Sequence, residues 1–144
     1  MHLQPETGFR ESYRILGETL ITVKDYTSGR HFEDAISYAF YPVDLHTRTG
    51  VRPKPLKRGT VPTVPLGALI PKGSENIIVA GRCVSSDRLA NSGLRVQAAC
   101  MGMGQAAGAT AALAAQSSST PLKVPLSQIY ELLQKHNAII PKKA

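Results

Sequence analysis

The sequence predicts an α/β arrangement, or α+β for these residues taken alone, and three observations carry that expectation. Ile77-Ile78-Val79-Ala80 sets apolar residues in succession instead of alternation, the pattern of a strand covered on both faces in the middle of a sheet. Residues 96–115 form a run dominated by alanine, the best helix former. A polar loop over residues 81–92 joins the two, giving the strand, loop and helix unit at whose open end α/β sheets bind ligands.

Each element follows from its own chemistry. Residues 10–23 alternate loosely, with Tyr13, Ile15, Leu20, Ile21 and Val23 among Arg10, Glu11, Arg14 and Glu18, which predicts one or two half-buried strands joined near Gly17. Thr22 followed by Asp25 supplies the cap of a short helical turn ending at Gly29. Residues 36–45, rich in Tyr and Phe, read as a strand that lies at an edge or bends at Pro42, since proline has no amide for a ladder. Prolines, glycines and cations make residues 47–62 a surface loop. After the apolar stretch 64–70 and Pro71-Lys72-Gly73 comes the strand over 76–80. Asn91 or Ser92 is the expected N-cap of the Ala-rich helix. A last helix from about Leu126 to His136 aligns Leu126, Ile129, Tyr130 and Leu133 on one face, with Lys135 and His136 at its negative end.

The 144 residues have the length of one ordinary domain. With 42% hydrophobic but only 6% aromatic residues and no Trp, the expected core is built of small side chains. The net charge of +7 suits an anionic partner, yet the cations are scattered; only Lys54, Lys57 and Arg58, and the tail pair Lys142 and Lys143, cluster. Cys83 and Cys100 lack the spacing and neighbours of a zinc site and read as two buried free thiols. The start of the chain lacks the blocks of a secretory signal. Gln97, Gln105, Thr110 and several glycines make the Ala-rich run too weakly apolar to span a bilayer. The expectation is a soluble, cytoplasmic chain without a metal.

Two motifs bear on chemistry. Gly102-Met103-Gly104-Gln105-Ala106-Ala107 has the glycines of a dinucleotide fingerprint, but that loop requires a strand just before it and a helix just after. Here the glycines fall inside the predicted helix, and Gly104, Gly108 and Ala112 share a face suited to close backbone approach. The second motif is the start of that helix. A helix N-terminus offers free amides and about half a positive charge. A flat, anion-like group can therefore lie against the amides of Gly93, Leu94, Arg95 and Val96, with Arg95 adding charge; the alternative is that Gly93 permits a bend and Arg95 is a solvated cation. His46, two residues after Asp44, is the candidate acid or base on the substrate side, or else a surface histidine. Arg10 and Arg14 are candidate carboxylate ligands, or exposed strand residues. Cys83 has no partner cysteine close in sequence for redox work, and Ser85, Ser86 and Ser92 have no adjacent base and read as loop and cap residues.

The segment PKGSENIIVAGRCVSSDRLANSGLRVQAACMGMGQAAGATAALA resembles the carboxyl-terminal flavin-contacting segment of the FAD-dependent oxidoreductases of the glutathione-reductase-like superfamily, and within it a bacterial group. RESYRILGETLITVKD at residues 10–25 and YPVDLH at residues 41–46 are similar to the same group. The likeness covers nearly the whole chain in order; AGRC followed by LRVQAACMGMGQAAG is its most specific part.

The resemblance implies FAD as cofactor, a small-molecule substrate and hydride transfer. It places Gly81 and Arg82 beside the ribityl chain and phosphate, and the helix start at Ser92, Gly93, Leu94, Arg95 and Val96 against the pyrimidine edge of the flavin. Many relatives have an acidic residue where Arg82 stands. It also implies a division into a partial substrate-side, β-rich region over residues 1–62 and a flavin-contacting segment of a Rossmann-like domain over residues 63–144. The superfamily's amino-terminal strand, Gly-rich turn and helix, with the acidic residue that holds the adenosine ribose, have no counterpart in these residues. The chain thus resembles the carboxyl-terminal part of a longer enzyme, expected to need the part that holds the adenosine, to bind FAD weakly alone and to self-associate through uncovered apolar faces. Two other classes compete. One is a basic nucleic-acid-binding module resting on the charge and on RPKPLKR at 52–58, without aromatic interleaving or a known motif; the other is a non-catalytic assembly remnant.

Overall fold

Thr22, Asp25 and Gly29 fold as their chemistry dictates. In the computed structural model, which describes residues 13–47, 50–51 and 53–142, α1 (Val23–Ser28) opens on a reciprocal cap: the Thr22 hydroxyl accepts from Asp25 N–H and the Asp25 carboxylate accepts from Thr22 N–H, while Gly29 closes the helix at φ 71°. Burial alone would raise the Asp25 pKa, but hydrogen bonds from Thr22 and Arg30 hold it below the ordinary value. A depressed folded pKa stabilises the fold above the unfolded value, and that stabilisation is lost as pH falls through the folded pKa. Asp25→Ala is therefore expected to cost about 1 kcal/mol at neutral pH. In urea unfolding followed by circular dichroism, the deficit should shrink once the pH falls below the carboxylate range.

The chain is a mixed α/β structure. After α1 come β1 (Ala35–Tyr38), β2 (His46–Thr47), β3 (Gly50–Val51) and β4 (Thr63–Pro65), then α2 (Arg88–Leu94), α3 (Gln97–Gln116) and α4 (Leu126–Lys135). Two antiparallel two-stranded sheets are present among the described residues: β1 with β4, pairing Ala35 with Pro65 and Tyr38 with Thr63 across an irregularity, and the small hairpin β2 with β3. The β1–β4 pair crosses the boundary between residues 62 and 63, so both halves of the expected division share one sheet and one core.

Helix α3 packs against β1 and α4. Its inner face presents Ala99, Met103, Ala106, Ala107 and Thr110, and β1 with its continuation meets it with Ala35, Ser37 and Ala39. Small side chains on both sides let helix and strand lie close: a Cβ at Gly102 would stand 3.1 Å from Ser37 Cβ. The fine-grained core expected from the composition is realised in this layer. α4 turns Ile129 and Leu133 inward, half-buries Leu126 and Tyr130, and ends at His136, as its spacing predicts. The second half of the core gathers around Tyr26, Ile21, Leu69, Ile70, Val84 and Leu94, all fully buried.

Three expectations are corrected. Residues 76–80 are not a strand: Val79 N–H reaches Leu69 O at 2.8 Å, but no described strand lies alongside, and Ile77 is 54% exposed. A run of apolar residues marks a covered strand only where neighbours supply the ladder. Residues 13–22 likewise form only isolated bridges, Gly17 with Pro71 and Ile21 with Ser86, rather than strands, and Val23 opens α1; residues 10–12 lie outside the described part. Finally, the loop at 47–62 is interrupted early by the hairpin closing at β3. No described helix is long and apolar enough to cross a membrane.

Candidate functional site

The loop leaving residue 80 begins with Gly81 at φ 92°, a backbone state that a side chain opposes, and Val84 N–H closes the turn onto Gly81 O at 3.1 Å. The chain then runs beside residues 15–21: Ile15 N–H donates to Cys83 O at 2.9 Å, Ile21 N–H to Ser85 O at 3.1 Å, and Asp87 N–H to Ile21 O at 2.9 Å. Asp87 is the N-cap of α2, its carboxylate accepting from Ala90 N–H at 2.8 Å and also from Val23 N–H, so one side chain ties the starts of α1 and α2 together.

This cap moves the helix start. Asn91, Ser92, Gly93 and Leu94 were expected at the opening of the Ala-rich helix, but they lie inside α2 and are buried. Asp87, four residues before Asn91, competes for the cap and wins, and Arg95 and Val96 break the two helices apart: Arg95 N–H still donates to Asn91 O, while Val96 is extended at φ −78°, ψ 154°. Helix α3 therefore starts at Gln97, with no side-chain cap. The amides of Gln97, Ala98 and Ala99, not those of residues 93–95, are its first-turn donors without intrahelical partners.

The residues singled out by sequence come together through this junction in a different way from that expected. Gly93 serves packing: a Cβ there would stand 2.5 Å from Tyr26 Cζ and Oη. Tyr26 in turn donates its hydroxyl to Tyr41 O at 2.8 Å, and burial pushes its phenol far above the ordinary value, only partly offset by that bond. Ser92 donates to Leu89 O at 2.6 Å and accepts from Asp44 N–H at 2.9 Å, and Arg95 Nη2 donates to Asp44 O at 3.1 Å. Segment 41–46 is thus held by two hydrogen bonds joining Asp44 to Ser92 and Arg95 and by a third from Tyr26 on α1 to Tyr41 O, and His46 opens β2 two residues beyond Asp44, its backbone paired with Val51. Gly81 and Arg82 join the same junction: Asn91 Nδ2 donates to Arg82 O at 3.1 Å, and Cys100 Sγ lies 3.9 Å from where a Gly81 Cβ would be. Burial raises the Cys100 thiol, partly opposed by the charge of Arg82, so it stays protonated at neutral pH. Arg14 Nε is engaged by Ser86 O at 3.1 Å; Arg10 lies outside the described residues.

A groove of about 460 Å³ opens beside the start of α3, between residues 37–41, the first two turns of the helix and the tail at 137–139. Sequence reasoning missed its floor. Ser37 is 2% exposed and its hydroxyl has no partner among the described residues, an arrangement that a buried polar atom rarely keeps. Only the fold, by setting β1 against Gly102, places that serine here; Asp87, by contrast, was legible as a capping residue ahead of an apolar turn. The fingerprint-like Gly102 to Ala107 lies wholly inside α3, as expected, but Gly104 and Gly108 face open space instead of another backbone. No group of three metal-ligating side chains occurs among the described residues.

A sharp glycine turn, a helix start with unfilled amides and a largely apolar groove lie together at one end of this mixed α/β chain. The family model described as FAD dependent oxidoreductase matches residues 1–136, and the chain belongs to that family, whose cofactor is FAD. No curated protein and no solved structure matches it.

Proposed function

We propose that this chain forms the flavin-facing and substrate-side portion of a FAD-dependent oxidoreductase, acting with a Rossmann-like strand, Gly-rich turn and helix that hold the adenosine half of FAD. The observation that carries the reading is the uncapped start of α3 beside Gly81 and the groove. The residues fit the group on two counts. Gly81 has no side chain where the backbone turns, and the amides of Gln97, Ala98 and Ala99 are unfilled. Gly81 and Arg82 would hold the ribityl and phosphate end, and the first turn of α3, following Arg95 and Val96, the pyrimidine edge. When bound, FAD supplies hydride acceptance or donation at its ring. A helix N-terminus stabilises negative charge that develops near it, so α3 would favour the reduced ring.

Ser92, Gly93 and Leu94 enter this reading as supports, since their burial sets where α3 starts. His46 is the proposed substrate-side acid or base, carried on a segment that Ser92 and Arg95 fix. We retain 1–62 as the substrate-side and 63–144 as the flavin-side portion. The substrate is a small molecule. Exposed Lys54, Lys57 and Arg58 are the remaining support for nucleic-acid binding, and they lie on a Pro-rich loop without interleaved aromatics.

One substitution tests the reading cleanly. Proline is accepted at the first position of a helix, and the extended Val96 has the conformation that must precede it. Gln97→Pro is therefore expected to leave urea stability unchanged while removing one donor, weakening flavin binding about tenfold. Fluorescence quenching on titration with FAD, with the adenosine-holding part present, measures this. Unchanged affinity, or affinity of the chain alone at about the micromolar level or better, would count against the proposed roles of α3 and of that part.

A further inference from the structure

Cys83 and Cys100 are the only cysteines in the chain, one in a loop and the other in a helix. The fold brings both to the same peptide group. The Cys83 thiol donates to Ala80 O at 3.7 Å, and Cys100 Sγ lies 3.9 Å from where a Gly81 Cβ would be, so the two sulfurs flank the bond between residues 80 and 81. Cys83 sits in the turn that Val84 N–H closes onto Gly81 O, and Cys100 in the first turn of α3. Both backbones are anchored: Cys83 O accepts from Ile15 N–H at 2.9 Å, and Cys100 N–H donates to Val96 O at 3.0 Å. An ionised Cys83 would raise the Cys100 pKa further, so each sulfur lies within electrostatic reach of the other. Both thiols are free, and they are half-buried instead of fully buried as expected, which leaves them open to a small oxidant.

We propose that Cys83 and Cys100 are a redox-sensitive pair that hydrogen peroxide converts into a disulfide within the chain, stapling the Gly81 turn to the first turn of α3. The first thiolate attacks a peroxide oxygen, the O–O bond breaks, and a sulfenic acid forms with release of water. The second thiol then attacks that sulfur; the S–O bond breaks, the S–S bond forms, and a second water leaves. Two electrons pass from the sulfurs to the peroxide, and both thiol protons end in water. Burial keeps Cys100 protonated at neutral pH, so the first step falls on Cys83 and Cys100 resolves it. This chemistry needs no flavin and stands apart from the flavin reading. The partner that Cys83 lacks in its own stretch of sequence is supplied by the fold.

The experiment uses the full chain, reduced and then treated with stoichiometric hydrogen peroxide at neutral pH. Thiol titration in urea should fall from two groups per chain to none, and dithiothreitol should restore both. Trypsin should release the peptide of residues 83–88 joined to that of residues 96–123, and the oxidised protein should run as a single chain on a non-reducing denaturing gel. Cys100→Ser removes the resolving thiol, so dimedone should label Cys83 in this variant and not in the parent. The bridge should also raise the urea midpoint, because a disulfide that the native geometry accepts constrains only the unfolded chain. A bridge between two chains, a lasting sulfenic acid beside a free thiol in the parent, or a urea midpoint that does not rise would overturn the proposal. Each would mean that the fold does not hold the two sulfurs within reach of one another.

Discussion

Gly93→Ala is expected to destabilise the chain by about 3 kcal/mol, more than its single methyl group would suggest. The added Cβ would meet Tyr26 Cζ and Oη at 2.5 Å and Cε1 at 2.7 Å. That ring is fully buried, and its hydroxyl is pinned to Tyr41 O, so it is not a flexible end that can swing aside. Either α2 moves away from α1 or the ring leaves its bond, and both routes loosen segment 41–46. Urea unfolding of purified protein measures the loss. A variant as stable as the parent would show that the contact between ring and glycine is not a close one in solution.

Tyr26→Ala should cost about 3–5 kcal/mol, the range for emptying a buried aromatic site. Tyr26→Phe isolates the hydroxyl and should cost about 1 kcal/mol, leaving Tyr41 O without its partner. The two sites are in contact, so their effects will not add. In the double variant Gly93→Ala with Tyr26→Ala, the new methyl occupies room that the ring has vacated, and the total should fall clearly below the sum of the single losses. Additive losses would mean that each residue acts through a different neighbour.

What could be read from the sequence was what depends on near neighbours. The cap formed by Thr22 and Asp25, the stop at Gly29, the long alanine-rich helix and the face of α4 built on Ile129 and Leu133 are set by residues within a few positions of one another, and they fold as read. Gly81, Arg82, Arg95 and Val96 lie around the junction of α2 and α3, which the strand, loop and helix pattern suggested in outline. The helix start was misplaced by a few residues, since Asp87 caps earlier than Asn91 or Ser92 and puts residues 92–94 inside the buried α2. Ser37 and Tyr26 could not be found this way. Their importance rests on contacts with Gly102, Gly93 and Tyr41, and no local period encodes those meetings. The strand expected at 76–80 failed for a related reason: ladder partners belong to the fold, not to the segment.

The tie from Ser92 and Arg95 to the backbone of Asp44 separates two kinds of variation. Backbone anchors care little which side chains flank them, whereas Phe40, Met101 and Ile139 stand outside the core and can be exchanged with little harm to folding. Sequence can therefore drift by single exchanges at these exposed positions while the frame that fixes segment 41–46 against α2 is inherited unchanged.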